Sequence, residues 1–161
     1  MELIKEDAGE YQIMCEKKKI SFVFTDHPVA LTVTTDPDLL GYILRNLIGN
    51  AIEYTPEHGK VEITLEEKEG SVFFKVLDTG IGIPKSEQAR IFEKFFRASN
   101  ATIVKSDGSG LGLYIVFEAV KLLGGKIWLE SELGKGTTFF VELPLVSQPR
   151  EGGKGIEFEG K

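Results

Sequence analysis

The chain has 161 residues, 42% hydrophobic and 27% charged, ordinary values for one globular domain that needs no disulfide or structural metal to fold. A net charge of −6 speaks against a diffuse basic surface for nucleic acid, so a polyanion would have to be held by local backbone amides or a bound cation. One cysteine and two histidines exclude an intrachain disulfide and a Cys/His zinc cluster.

Apolar residues Leu3, Ile4, Ala8, Tyr11, Met14 and Cys15 recur near a 3.6 period and predict a helix over residues 2–18. Lys17, Lys18 and Lys19 follow, cations that suit a helix C-terminus. Ile20, Phe22 and Phe24 alternate as in a half-buried strand, and Val29, Leu31 and Val33 predict a short second one. Asp36-Pro37 reads as an N-cap and first-turn proline. The helix it opens runs to Tyr54 on a stripe of Leu40, Ile43, Leu44, Leu47, Ile48 and Ala51. Residues 61–66 and 71–77 predict a hairpin, 78–84 a glycine-bearing loop and 86–96 a helix. Residues 97–110 have no period, and a loop of that length in a compact domain is functional or mobile. A helix over 111–123 stops at Gly124-Gly125, and 127–131 and 137–143 form a closing pair of strands. Residues 1–146 make one domain, and the glycine-spaced charges of 147–161 predict a disordered tail. The fold class is α+β, a mostly antiparallel sheet with helices banked on one face.

Asn46 and Asn50 stand four apart on the predicted helix, beside its apolar stripe, so both amides need partners. A neighbouring loop would supply them, or Mg²⁺ held together with phosphate oxygens and waters. Asp78-Thr79-Gly80-Ile81-Gly82-Ile83-Pro84 follows a strand directly. It is either a turn with a capping aspartate or a place where a flat ligand meets the backbone and a carboxylate accepts an exocyclic amine. Gly108-Ser109-Gly110-Leu111-Gly112-Leu113 opens a helix, where exposed amides hold an anion without basic side chains; the alternative is a plain hinge. Arg97 begins the aperiodic loop, from where it could swing toward a phosphate. The P-loop pattern, a dinucleotide glycine fingerprint and the signatures of eukaryotic-type protein kinases are all absent.

In this order and spacing the elements resemble the ATP-binding catalytic domain of bacterial sensor histidine kinases. The wider group includes gyrase, heat-shock chaperone and mismatch-repair ATPases. Residues 45–56, Arg-Asn-Leu-Ile-Gly-Asn-Ala-Ile-Glu-Tyr-Thr-Pro, resemble the family's N box. The runs 78–84, 108–113 and 134–139 resemble its three glycine boxes, and Phe92-Glu93-Lys94-Phe95-Phe96-Arg97 its F box. The resemblance covers about residues 1–145 and implies a two-layer α/β sandwich of the Bergerat type with a flexible ATP lid over 97–110. It implies ATP and Mg²⁺ as cofactors. Asp78 would bind the adenine amine, with Gly80, Gly82 and Thr137 nearby and Tyr54 and Ile83 lining the base. Asn50 would ligate the metal and Asn46 support it. Gly108, Gly110, Leu111, Gly112 and Leu113 would face the phosphates, and Arg97 and Lys105 would neutralise the γ-phosphoryl group during transfer.

Two departures bear on activity. The family often has lysine where Glu53 stands; a carboxylate there cannot donate to phosphate and would repel it, unless it bonds a metal-bound water or turns outward. Neither His27 nor His58 lies in the helical His-Glu-x-x-x-x-Pro setting of a phosphoacceptor, so the nucleophile must come from another domain. The expectation is an excised, monomeric catalytic domain. It would donate phosphate to the phosphoacceptor histidine domain of its parent kinase, with a response regulator downstream. No nucleic-acid or direct membrane contact is expected, and the location would be cytoplasmic, free or as the cytoplasmic part of a membrane-anchored sensor. Rival readings are an aspartic protease built on Asp78-Thr79-Gly80, an anti-sigma-factor-like serine kinase, and a degenerate nucleotide-binding interaction module.

Overall fold

The computed structural model describes residues 2–25 and 33–146, with side chains from residue 9 onward. The strand expected on Val29 and Leu31, His27 and the tail 147–161 lie outside the described residues. Helix α1 (Glu2–Lys17) leads into β1 (Ser21–Thr25); α2 (Pro37–Tyr54) precedes the hairpin β2 (Lys60–Lys68) and β3 (Ser71–Asp78). A short α3 (Ser99–Val104), then α4 (Gly112–Leu122), β4 (Lys126–Glu132) and β5 (Gly136–Pro144) complete the order. The sheet runs β1-β2-β3-β5-β4, parallel between β1 and β2 and antiparallel elsewhere.

One face of the sheet is dry. Alternation turns Val61, Ile63 and Leu65 of β2, Val72, Phe74 and Val76 of β3, and Phe139, Val141 and Leu143 of β5 toward the helices. Facing them, α2 buries Ile43, Leu47, Ile48 and Ile52, α4 buries Val116, Ala119 and Val120, and α1 buries Tyr11 and Cys15. Each large aliphatic side chain so buried contributes about 1.5–3 kcal/mol, which fixes both register and helix rotation. The opposite face carries Trp128 stacked on Phe140 at 5.3 Å and stays open.

Asp36 caps α2 as its sequence promises, Oδ1 accepting from the Asp38 and Leu39 N–H groups. The other end holds a surprise. Lys18, expected to serve α1, instead sends its ammonium to the C-terminus of α2, donating to Ile52, Glu53 and Thr55 carbonyls at 2.9, 2.8 and 3.0 Å.

The helix expected over 86–96 is not formed. Only Gln88–Arg90 makes a 3₁₀ turn, and the chain continues in three-residue turns, Glu93 N–H to Arg90 and Phe96 N–H to Glu93. Phe95 then adopts φ 66° and donates its N–H to the Gly110 carbonyl, which no helix would allow. Conversely, the aperiodic stretch after Arg97 holds α3. Its Ile103 is 85% exposed and the helix buries no residue fully, so it leaves no apolar period to read.

Candidate functional site

The buried face of the sheet ends in polar rungs. Asp78 continues the inward phase of Val72, Phe74 and Val76, and Thr137 that of Phe139, Val141 and Leu143. Register sets Asp78 opposite Thr137, and Thr137 opposite Ser131 of β4. Asp78 is only 8% exposed; its Oδ1 accepts the Gly80 and Thr137 N–H groups at 2.8 and 3.2 Å. Burial pushes its carboxyl up from 3.8 to about 6, with those two bonds opposing. Oδ2 takes no hydrogen bond among the described residues and is the acceptor left for a ligand. Ser131 Oγ lies 2.9 Å from Thr137 Oγ1 and accepts the Ile83 N–H at 2.8 Å, tying the glycine loop to the sheet edge.

Along α2, Tyr42, Asn46, Asn50 and Tyr54 follow at intervals of one turn. Asn50 Nδ2 donates to Asn46 Oδ1 at 3.2 Å, and Asn46 is in turn bonded to the Tyr42 phenol. Burial pushes that phenol up, the Asn46 bond opposing. The Asn50 carbonyl oxygen remains for a hard cation. Among the described residues no group of three His, Cys, Asp or Glu side chains could hold a metal by itself. One amide oxygen instead fits Mg²⁺, which keeps several waters and takes phosphate oxygens. Glycine at the first position of α4 allows a close approach here: a Cβ on Gly112 would stand 2.7 Å from Asn46 Nδ2 and oblige the carboxamide to shift. The α4 N-terminus, with no side-chain cap, thereby abuts the asparagine pair. The Leu111 N–H is taken by Ser109 Oγ at 3.3 Å.

These parts enclose a cavity of 240 Å³, and of the residues singled out from the sequence all but Gly80 and Leu111 line it. Gly80 works from behind; a Cβ there would come within 2.6 Å of both Asp78 Oδ1 and the Tyr54 carbonyl. The guanidinium of Arg97 is spent on the loop itself, donating to Ser106 O at 2.8 Å and to Lys105 O. Lys105 Nζ meets Glu53 Oε2 at 3.0 Å, so Glu53 has a protein partner across the mouth. Of the two histidines, His58 is exposed in a turn at φ 66°, not in a helix.

Sequence reasoning missed several lining or supporting residues, Ser131, Asn100 and Asp107 among them. Ser131 was legible in principle, a polar residue in the inward phase of Ile127 and Leu129. Asn100 was not: it lies on α3, donates to the Gly82 carbonyl at 2.7 Å and leaves its buried Oδ1 without a partner.

An open mixed sheet with helices on one face, and a cavity between an asparagine-bearing helix, an aspartate at a strand end and a glycine-opened helix, define a nucleotide-binding ATPase class. Residues 35–147 match the model of the histidine kinase-, DNA gyrase B- and HSP90-like ATPases, and the chain belongs to that family. Within it the chain is a histidine kinase-type ATPase domain, homologous to the catalytic domains of sensor kinases. It is 38% identical over 140 residues to the sensor histidine kinase WalK of Bacillus subtilis, covering 86% of this chain and 23% of WalK. The chain thus spans about a quarter of that relative's length. The catalytic domain of histidine kinase ThkA superposes with a TM-score of 0.78 at 34% identity, covering 90% of this chain and 93% of that domain. Full-length ShkA in complex with AMPPNP superposes with a TM-score of 0.76 at 34% identity, covering 91% of this chain and 30% of ShkA. Among the described residues no helix is long and apolar enough to cross a membrane.

Proposed function

We propose that this domain binds Mg²⁺-ATP and donates the γ-phosphoryl group to a histidine on a separate phosphoacceptor domain, in two-component signalling. One observation carries the reading: a single cavity is bounded by a buried carboxylate, an asparagine pair and an uncapped helix N-terminus, the three chemistries that a purine amine, a metal and a polyphosphate require. Asp78 Oδ2 accepts the adenine amine while Oδ1 stays locked to the backbone. Tyr54 and Ile83 flank the base and exclude water from that bond.

Magnesium, when bound, spreads the negative charge of the phosphates. Asn50 holds it by one oxygen and Asn46 keeps that oxygen aimed. The first amides of α4 attract phosphate through unsatisfied N–H groups and the helix dipole, which reconciles an anionic ligand with a chain of net charge −6. Catalysis is then positioning and electrostatic stabilisation. In the transfer an imidazole nitrogen of the acceptor histidine bonds the γ-phosphorus as the β–γ bridging P–O bond breaks, and ADP departs. His58, the histidine among the described residues, stands in an exposed turn and not on a helix. Phe95 and Ile103, 64% and 85% exposed on the segment flanking the mouth, offer apolar surface to the acceptor domain.

Calorimetry of the chain with a non-hydrolysable ATP analogue, with and without Mg²⁺, tests this reading. Micromolar affinity strengthened by the metal is expected. Absence of binding would overturn it and leave a degenerate interaction module.

A further inference from the structure

The cavity carries an acidic excess for a polyphosphate site. Glu53, Asp78 and Asp107 line it with only Arg97 and Lys105 in opposition. The Arg97 guanidinium is committed to two backbone carbonyls, including that of Lys105. The Lys105 N–H is likewise fixed, donating to the Ala101 carbonyl at 3.0 Å as α3 ends. The backbone of Lys105 is therefore pinned from both sides, and only its side chain has a choice of partner. That partner is Glu53, 52 residues away on α2 and 3.0 Å from the ammonium. Glu53 sits one turn beyond Asn50, on the helix that carries the asparagine pair.

We propose that Glu53 is a positioning residue that seats the segment 97–110, holding the Lys105 ammonium at the mouth so that it meets the terminal phosphate of a bound nucleotide. The second half of this statement rests on the nucleotide reading above. An unpaired carboxylate at that place would repel a polyphosphate, whereas a paired one is neutralised. An ammonium has three donors, and one bond to Glu53 leaves two for phosphate oxygens. The Glu53 hydrogen bond and its charge also draw the Lys105 pKa upward. Both side chains are about 40% exposed, so the coupling is modest and must be read as a small fold-change.

The seat is tested without nucleotide, by hydrogen exchange over residues 97–110 of the full chain. Glu53→Lys and Lys105→Glu should each speed exchange about two- to fivefold, and the double reversal should return it to near the wild-type rate. Single reversals that change nothing, or a double reversal no slower than the faster single, would overturn it. The positioning role is tested by the ratio of affinities for AMP-PNP and ADP. Glu53→Gln should lower that ratio about threefold with Lys105 present, and raise or spare it in a Lys105→Gln background, where only repulsion is left. A ratio that rises in the wild-type background would mean that Glu53 competes with phosphate for Lys105, and the proposal would fall. If the wild-type chain binds neither nucleotide, the nucleotide reading and the positioning role fall together, while the exchange result still decides the seat.

Discussion

Asp78 and Lys105 face the same cavity from walls that are held in unlike ways. The Asp78 wall is made of strand rungs: Asp78, Thr137 and Ser131 lie side by side in the ladder, and the carboxylate is fixed by two backbone N–H groups. Moving it requires breaking strand pairing. The Lys105 wall has no strand. Apart from its own turns and the Phe95 N–H to Gly110 O bond, side-chain bonds hold it, from Arg97 to the loop, Asn100 to Gly82 and Lys105 to Glu53, and its Ile103 and Val104 are exposed. Such a segment opens at far lower free energy than the sheet. The group that reads the base is therefore built into the stable wall, and the cation that meets charge into the one able to move.

The contrast is broken most forcefully at Asp78. Replacing it with Asn keeps an oxygen for the two backbone donors but puts an N–H₂ where the ligand also donates. Affinity should fall on the order of a hundredfold by calorimetry, the scale of a lost hydrogen bond to a charged group. Stability should move the other way. Below 3.8 the carboxyl is protonated in both folded and unfolded chains. As pH rises toward about 6 the unfolded chain releases its proton while the folded one retains it, so stability falls, and the loss is complete above about 6. That penalty is about 3 kcal/mol, and Asp78→Asn should remove it: denaturant melts should coincide near pH 3 and separate in the variant's favour at pH 8. A variant no more stable at pH 8 would mean that the carboxylate is not strained by its burial.

Two changes at the asparagine pair sharpen the same wall. Asn50→Ala should abolish the strengthening of nucleotide binding by Mg²⁺, about tenfold or more, while leaving metal-free affinity nearly intact. Metal dependence that survives the change would remove Asn50 as the ligand. Gly112→Ala inserts a methyl 2.7 Å from Asn46 Nδ2, so the carboxamide or the start of α4 must shift. Overpacking of this kind costs about 1–3 kcal/mol, and it should appear as roughly tenfold weaker nucleotide binding with a smaller change in melting temperature. Equal affinity would show the contact to be slack.

The sheet wall was far more legible in the sequence than the moving one, for a physical reason. Period-2 and period-3.6 apolar patterns record burial, and Asp78, Thr137, Asn46 and Asn50 all interrupt such patterns at definite phases. The stripe over Leu40 to Ala51 and the Asp36 cap therefore gave α2 and its polar side directly. Residues 86–104 bury too little to leave a period. Their shape is set by long-range bonds, such as Phe95 N–H to Gly110 O and Asn100 to Gly82 O, that local sequence does not encode. The Phe92, Phe95 and Phe96 spacing suggested a helix, yet Phe92 and Phe96 pack on the core while Phe95 turns outward. Lys18 misled in a different way: the dipole argument was sound, but it applied to a helix end brought near only by folding.

That lysine offers the finest test of whether the sheet-side wall is rigid. Its ammonium serves three carbonyls at the end of α2, the turn that carries Glu53 and Tyr54 into the cavity. In Lys18→Met those carbonyls turn to water, which is available because the site is only part-buried, so the net cost should be about 1 kcal/mol. For a chain of this size that lowers the melting temperature by about 2–4 °C. If the wall is as stiff as its bonding implies, nucleotide affinity should change less than about twofold, since the packing of Ile48, Ala51 and Ile52 still fixes the helix. A drop in affinity as large as the drop in stability would mean that the last turn of α2 moves as freely as the segment opposite it, and that the two walls differ less than their hydrogen bonds suggest.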